Sequence, residues 1–159
     1  MNKSVLREQI IARLQSELAT QTAAAHLARD EAISEESKPE NKYDTHSIEA
    51  SYLAEGQARL AAEIQDNIAF YQSLPLPEFQ PDDTIAIGAI VETESNGRTA
   101  SYFLGPRAGG LEISSDHRTV LVLTPQSPLG RLLLGRRAGD VVSLPGRSAT
   151  VRHRVARVQ

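Results

Sequence analysis

Leu74-Pro75-Leu76-Pro77-Glu78-Phe79-Gln80-Pro81 places three prolines in the seven residues from Pro75 to Pro81. No helix continues through such a run, because each proline lacks an amide hydrogen and excludes the helical region for the residue before it. The segment reads as a linker over residues 75–81 between two parts with different periodicities. Residues 1–74 contain one glycine, Gly56, and one proline, Pro39, and are rich in Ala, Glu, Gln, Leu and Arg, which are good helix formers. Residues 82–159 alternate in the manner of strands.

On the N-terminal side, Ile11, Leu14, Leu18, Gln21, Ala25, Ala28 and Ala32 recur at alternating spacings of three and four. Ala54, Gln57, Ala61, Ile64, Ile68 and Tyr71 do the same, with Leu53 and Leu60 beside them. This is the seam of a coiled coil. Gln21 and Gln57 within it are of the kind that fixes register. Ser4 is the expected cap of the first helix and Thr45, or else Ser47, of the second. The break at Glu36-Ser37-Lys38-Pro39-Glu40-Asn41 is short, which favours an antiparallel hairpin. About 30 residues per helix at roughly 1.5 Å each would make a rod on the order of 45 Å long.

Charge is concentrated at the bend. From Asp30 to Glu49 seven acids (Asp30, Glu31, Glu35, Glu36, Glu40, Asp44, Glu49) face two lysines, Lys38 and Lys42, in a chain whose net charge is only −3. In a folded hairpin these carboxylates gather near residues 36–49, at the far end of a narrow rod. Solvated end-charge that keeps a rod soluble is the alternative reading. Residues 75–159 hold ten bases, all arginine, against eight acids. The overall balance gives no general attraction to nucleic acid, so any such contact must be local.

On the C-terminal side, Thr84–Thr93 is expected as a strand. Asn96-Gly97 makes a hairpin turn that returns through Arg98–Leu104. Thr119–Leu123, Val141–Leu144 and Ala149–Val158 follow, the last as an edge strand. One short helix interrupts them, capped by Ser127 with Pro128 at its first position, buried through Leu129 and Leu132–Leu134, and ended by Gly135. The expected class is α+β: an antiparallel coiled-coil hairpin over 1–74 and a small antiparallel β domain over 82–159. Gly105-Pro106-Arg107-Ala108-Gly109-Gly110 opens no helix and reads as a flexible loop, not a phosphate cradle.

Composition narrows the chemistry. Cysteine is absent, which removes disulfides, thiolate metal sites and cysteine nucleophiles, and fits a reducing compartment. The four histidines, His26, His46, His117 and His153, lack metal-ligand spacing. No apolar leader and no window of the 18 or so apolar residues that span a bilayer is present. A soluble, cytoplasmic protein without membrane contact is expected.

Ser127-Pro128-Leu129-Gly130-Arg131-Leu132-Leu133-Leu134-Gly135, followed by Gly139-Asp140-Val141-Val142, resembles the C-terminal signature of the Gre transcript-cleavage factors, S-P-[IL]-[AG]-R-A-L-[IL]-G leading to G-D-x-V. Ile87-Gly88-Ala89-Ile90-Val91 is similar to the x-G-A-x-V strand of that family. The resemblance extends to domain order and covers nearly the whole chain. It implies a C-terminal domain like the FKBP prolyl isomerases, docked at the rim of the secondary channel of bacterial RNA polymerase. It also implies a coiled coil reaching through that channel, with tip acids helping the polymerase hold a second Mg²⁺ ion.

On this resemblance Asp44 and Glu49 are the candidates for the shared metal, and Glu40 is a further tip contact to the polymerase active site. Ser127, Pro128, Arg131, Arg136 and Arg137 are candidates for docking. The resemblance further implies a monomer, not itself an enzyme, with no cofactor of its own, meeting nucleic acid only inside the polymerase complex. Gre tips carry D-x-x-E-N-x-E-Y. Aligning on Tyr52 puts Ile48 where the family has Glu and Thr45 where it has Asp, with Asp44 and Glu49 each one residue away. A one-residue slip turns a helical side chain by about 100°. This departure opens a second reading, a channel-binding inhibitor that does not stimulate cleavage. A prolyl isomerase or peptide-binding chaperone is a third. It needs an aromatic-lined pocket, and residues 75–159 offer only Phe79, Tyr102 and Phe103. A dimerising coiled-coil adaptor is a fourth.

Overall fold

The computed structural model describes residues 2–33, 46–115, 118–145 and 150–159. The class is α+β: a hairpin of two long helices, α1 (Lys3–Ile33) and α2 (His46–Ser73), and a six-stranded sheet with a short helix. The chain divides into two compact units, Ile11–Ala69, and Met1–Ile10 with Phe70–Gln159.

In the first unit the heptad pattern is realised from Ile11 to Ala28 and from Ala54 to Ile68, while the side chain of Ala32 lies outside the described residues. Leu14, Ala28, Ile64 and Ile68 are buried, while Ile11, Leu18, Gln21, Ala25, Ala54, Gln57 and Ala61 are half-buried. Leu18 and Ala25 of α1 share a cleft with Ala54, Ala58 and Ala61 of α2, which sets the two helices side by side. Leu53 and Leu60 stay 53% and 46% exposed, so the two leucines flanking the seam lie outside it. Gln57 Oε1 is buried without a hydrogen-bond partner. Among the described residues no helix is long and apolar enough to cross a membrane.

The cap of α1 is Asn2, not Ser4: Asn2 Oδ1 accepts from the amides of Ser4 (2.9 Å) and Val5 (3.2 Å). An asparagine in that position satisfies two of the amides that a helix start leaves over. The expected caps of α2, Thr45 and the side chain of Ser47, lie outside the described residues.

In the second unit the strands are β1 (Ile90–Ser95), β2 (Arg98–Leu104), β3 (Glu112–Ser115), β4 (Arg118–Leu123), β5 (Val141–Pro145) and β6 (Thr150–Val158), with α3 (Pro128–Leu133) before β5. Their order is β3-β4-β2-β1-β6-β5. The Asn96-Gly97 turn forms as expected, with φ of 51° and 73° and Ser95 paired to Arg98.

Three expectations are corrected. The sheet is mixed, since β2 and β4 run parallel while every other pair is antiparallel. β6 is interior, between β1 and β5, so β3 and β5 are the edges. The first strand begins at Ile90 because Ile85–Gly88 is spent otherwise: Ile85 exchanges backbone bonds with Gly135 and Arg136, and Ala89 N–H closes a turn on Ala86 C=O. Gly88, at φ 88°, sits where a Cβ would press on Pro77 and the Pro75 carbonyl.

Both sheet faces are covered in part. On one, Val91, Leu104, Leu123, Val142 and Val155 pack with Leu129 and Leu133 of α3. On the other, Ile90, Phe103, Val120 and Val122 are buried, and the Tyr71 ring lies 6.5 Å from that of Phe103. The glycine-rich segment is a hydrogen-bonded loop. Gly105 N–H donates to Leu123, Gly110 N–H to Val122, and the Tyr71 hydroxyl to Arg107 C=O at 2.8 Å. At Gly105 any Cβ would collide with that hydroxyl.

Candidate functional site

Glu49 is the one tip candidate that can be placed. It is exposed, in the first turn of α2, where a carboxylate also complements the helix dipole. Tyr52, three residues on and so one turn away, is 71% exposed. Glu40 and Asp44 lie outside the described residues. Among the described residues no three of His, Asp and Glu come together in a way that could hold a metal ion.

The C-terminal candidates fall into two sorts. Ser127 and Pro128 build the helix start. Ser127 is extended (φ −67°, ψ 150°), its Oγ accepts from Gly130 N–H at 3.1 Å, and its hydroxyl donates to Thr124 C=O at 2.8 Å. The serine side chain is thus fully engaged in the cap. Gly130 is required on steric grounds, since a Cβ there would strike the Thr124 carbonyl. Arg131, Arg136 and Arg137, in contrast, are all exposed. They flank Leu134, which is 43% exposed and not the buried residue the helix pattern suggests, because α3 ends at Leu133. Arg137 is held in place by its backbone, whose N–H donates to Asp140 Oδ2 at 3.0 Å, leaving the guanidinium free of that bond. All three arginines lie within three residues of Leu134 in the chain, and Arg136 Nε donates to the Leu132 carbonyl at 3.4 Å.

The aromatics expected of a prolyl-isomerase pocket do not gather. Phe103 is fully buried, and Phe79 lies under the Lys3 ammonium at 4.4 Å. Burial holds the Lys3 pKa below the usual lysine value, partly offset by Glu78. Tyr102 borders a cleft of about 730 Å³ whose walls include Glu92, Ser101, Arg118 and Leu121. Arg118 and Glu92 pair across that cleft at 2.9 Å.

Two features escaped the sequence. Thr93 is fully buried and its Oγ1 meets no partner in hydrogen-bonding geometry, and the same holds for Ser95 Oγ and His153 Nδ1. The Tyr102 hydroxyl lies close to Thr93; burial raises its pKa and the threonine pulls it partly back. Register puts Thr93, Ser95 and His153 on one face, the face that α3 covers. The second feature is a β-bulge between Glu92 and Thr93, which brings Arg154 and Arg157, three residues apart, to the same face opposite Glu94 and Glu92. Strict alternation along β6 could not have shown this.

No protein-family model and no curated protein matches the chain. Solved structures similar to it include GreA factor homolog 1 (Gfh1) of Thermus thermophilus, 24% identical over 94% of each chain with a TM-score of 0.38. Thermus aquaticus Gfh1 is 24% identical over 93% of this chain and 92% of its own, with a TM-score of 0.42. The prokaryotic transcription elongation factor GreA/GreB from Nitrosomonas europaea is 16% identical over 62% of this chain and 78% of its own, with a TM-score of 0.40.

Proposed function

We propose that this chain is a Gre-type transcription elongation factor that binds bacterial RNA polymerase. In this reading the body over 82–159 docks at the rim of the secondary channel, 75–81 is the linker, and the hairpin over 1–74 enters the channel. The observation that carries it is the Ser127–Gly135 signature folded as a capped helix, with Leu129 and Leu133 in the core and Arg131, Arg136 and Arg137 outside. Supporting it, the seam of α1 and α2 narrows from Leu and Ile to Ala toward the acidic bend, which suits a thin rod.

At the tip, Glu49 is exposed and Asp44 precedes it by five residues. Mg²⁺ keeps most of its waters and needs only one or two carboxylates, so such a pair fits a metal shared with the polymerase. When bound, that ion would activate water for cleavage of backtracked RNA. The chain's own part is to present oxygen ligands; the hydrolytic reaction stays with the polymerase.

The slipped register, with Ile48 in place of the family's Glu, favours a second outcome at the same site: occupation of the channel without stimulation of cleavage. Backtracked elongation complexes incubated with Mg²⁺ separate the two. Stimulation that falls at least tenfold in Asp44→Ala or Glu49→Ala supports the metal role. Unchanged or slower cleavage with the protein bound identifies a channel blocker.

A further inference from the structure

The edge strand β5 and its neighbour β6 carry a feature that the polymerase reading does not use. β5 ends the sheet, and among the described residues no strand pairs with its outer side. Its residues alternate cleanly. Val142 is buried toward α3, while Val141 and Ser143 face the other way, Val141 with 47% exposure. Register sets Val141 beside Arg154 and Ser143 beside Arg152, so two arginines stand on the same face one strand in from the edge. Arg152, Arg154 and Val141 line a cleft of about 640 Å³ that continues to Glu94 and the Asn96-Gly97 turn. Arg154 holds Glu94 at 3.4 Å, whereas Arg152 has no carboxylate partner among the described residues.

We propose that β5 is a docking edge for an extended acidic segment of another protein, which adds to the sheet as a seventh strand. An exposed edge offers a row of unpaired amides and carbonyls, and strand addition is a general mode of peptide recognition. The side-chain pattern of β5 and β6 selects the peptide. An added strand lies about 4.8 Å beyond β5 and about 9.6 Å from β6. A glutamate on its open face spans that gap to Arg152 or Arg154, with its stem resting on Val141. On its other face an apolar side chain continues the buried row of Val142. Alternating acidic and apolar residues therefore fit. Pro145 lacks an amide hydrogen and closes one end, which limits the added ladder to about four residues. The edge backbone of β5 selects an extended peptide over nucleic acid, and Arg152, without a carboxylate partner among the described residues, selects acidic side chains on that peptide. Arginine, with its planar fork, is the base suited to bidentate carboxylate contact.

The test uses the isolated full chain, so its outcome is independent of polymerase binding. A seven-residue peptide alternating Glu and Val is titrated while backbone amides are followed by NMR and hydrogen exchange. Shifts confined to Val141–Leu144 and the β6 arginines, slowed exchange of β5 amides, and at least a tenfold loss of affinity in Arg152→Glu support the proposal. Arg152 is exposed, so this variant keeps the fold. A Lys/Val peptide should not bind. No response at β5 under saturating peptide, equal affinity of Arg152→Glu, or tighter binding of a single-stranded RNA oligomer at the same residues would each overturn it.

Discussion

Thr93 places a fully buried hydroxyl in the middle of a sheet, with the Tyr102 hydroxyl close by but outside good hydrogen-bonding geometry. An unsatisfied buried group of this kind costs about 1–3 kcal/mol. Thr93→Val keeps the shape and removes the group, so denaturant unfolding should show a gain of about 1 kcal/mol; a loss would mean that the hydroxyl is bonded in solution. Tyr71 is the opposite case, with its hydroxyl donating to Arg107 C=O and burial holding its pKa well above the ordinary 10.0. A group whose folded pKa is raised stabilises fully below its unfolded pKa, and that contribution is lost as pH rises beyond it. Stability should therefore fall steeply above about pH 10, with Tyr102 adding a smaller share in the same direction. Tyr71→Phe should cost about 1 kcal/mol at neutral pH and flatten the alkaline slope, measured by urea unfolding at both pH values. Neither residue was legible as special in the sequence, because burial of a hydroxyl depends on which strands pair.

At the scale of elements, the helices were readable and the sheet only partly so. A heptad seam is a local pattern: every seam position from Ile11 to Ala28 and from Ala54 to Tyr71 is half-buried or buried, although Ala24 and Asn67 are covered as well without belonging to it. The Asn96-Gly97 hairpin and the Ser127-Pro128 cap are local too, and both formed. What failed was non-local. The parallel pairing of β2 with β4, the interior place of β6 and the four-residue edge strand β3 are set by partners distant in sequence. Of the candidate site, the exposed arginines around α3 were legible from its cap-defined helix, while the acids at Glu40 and Asp44 fall outside the described residues. Gly56 supplies a prediction at this scale. It sits within α2, and a Cβ there would meet nothing within 4 Å. Glycine in an exposed helix interior costs about 0.5–1 kcal/mol relative to alanine. Gly56→Ala should raise the thermal midpoint of the hairpin by circular dichroism; a lower midpoint would show a contact that needs the glycine.

For the whole molecule, the two groups of candidate residues fall in different parts of the chain: Asp44 and Glu49 in the helical part, and Arg131, Arg136 and Arg137 on and after α3. Under the proposed function the roles would be separable: variants at Arg131, Arg136 and Arg137 should weaken association with polymerase, whereas variants at Asp44 and Glu49 should leave association intact and alter cleavage alone. Association with polymerase is read by native mass spectrometry of the full chain with core bacterial RNA polymerase at micromolar concentration. A one-to-one complex that weakens at least tenfold in the Arg131→Glu, Arg136→Glu, Arg137→Glu triple variant is the predicted result. Absence of any complex with the intact chain would contradict it.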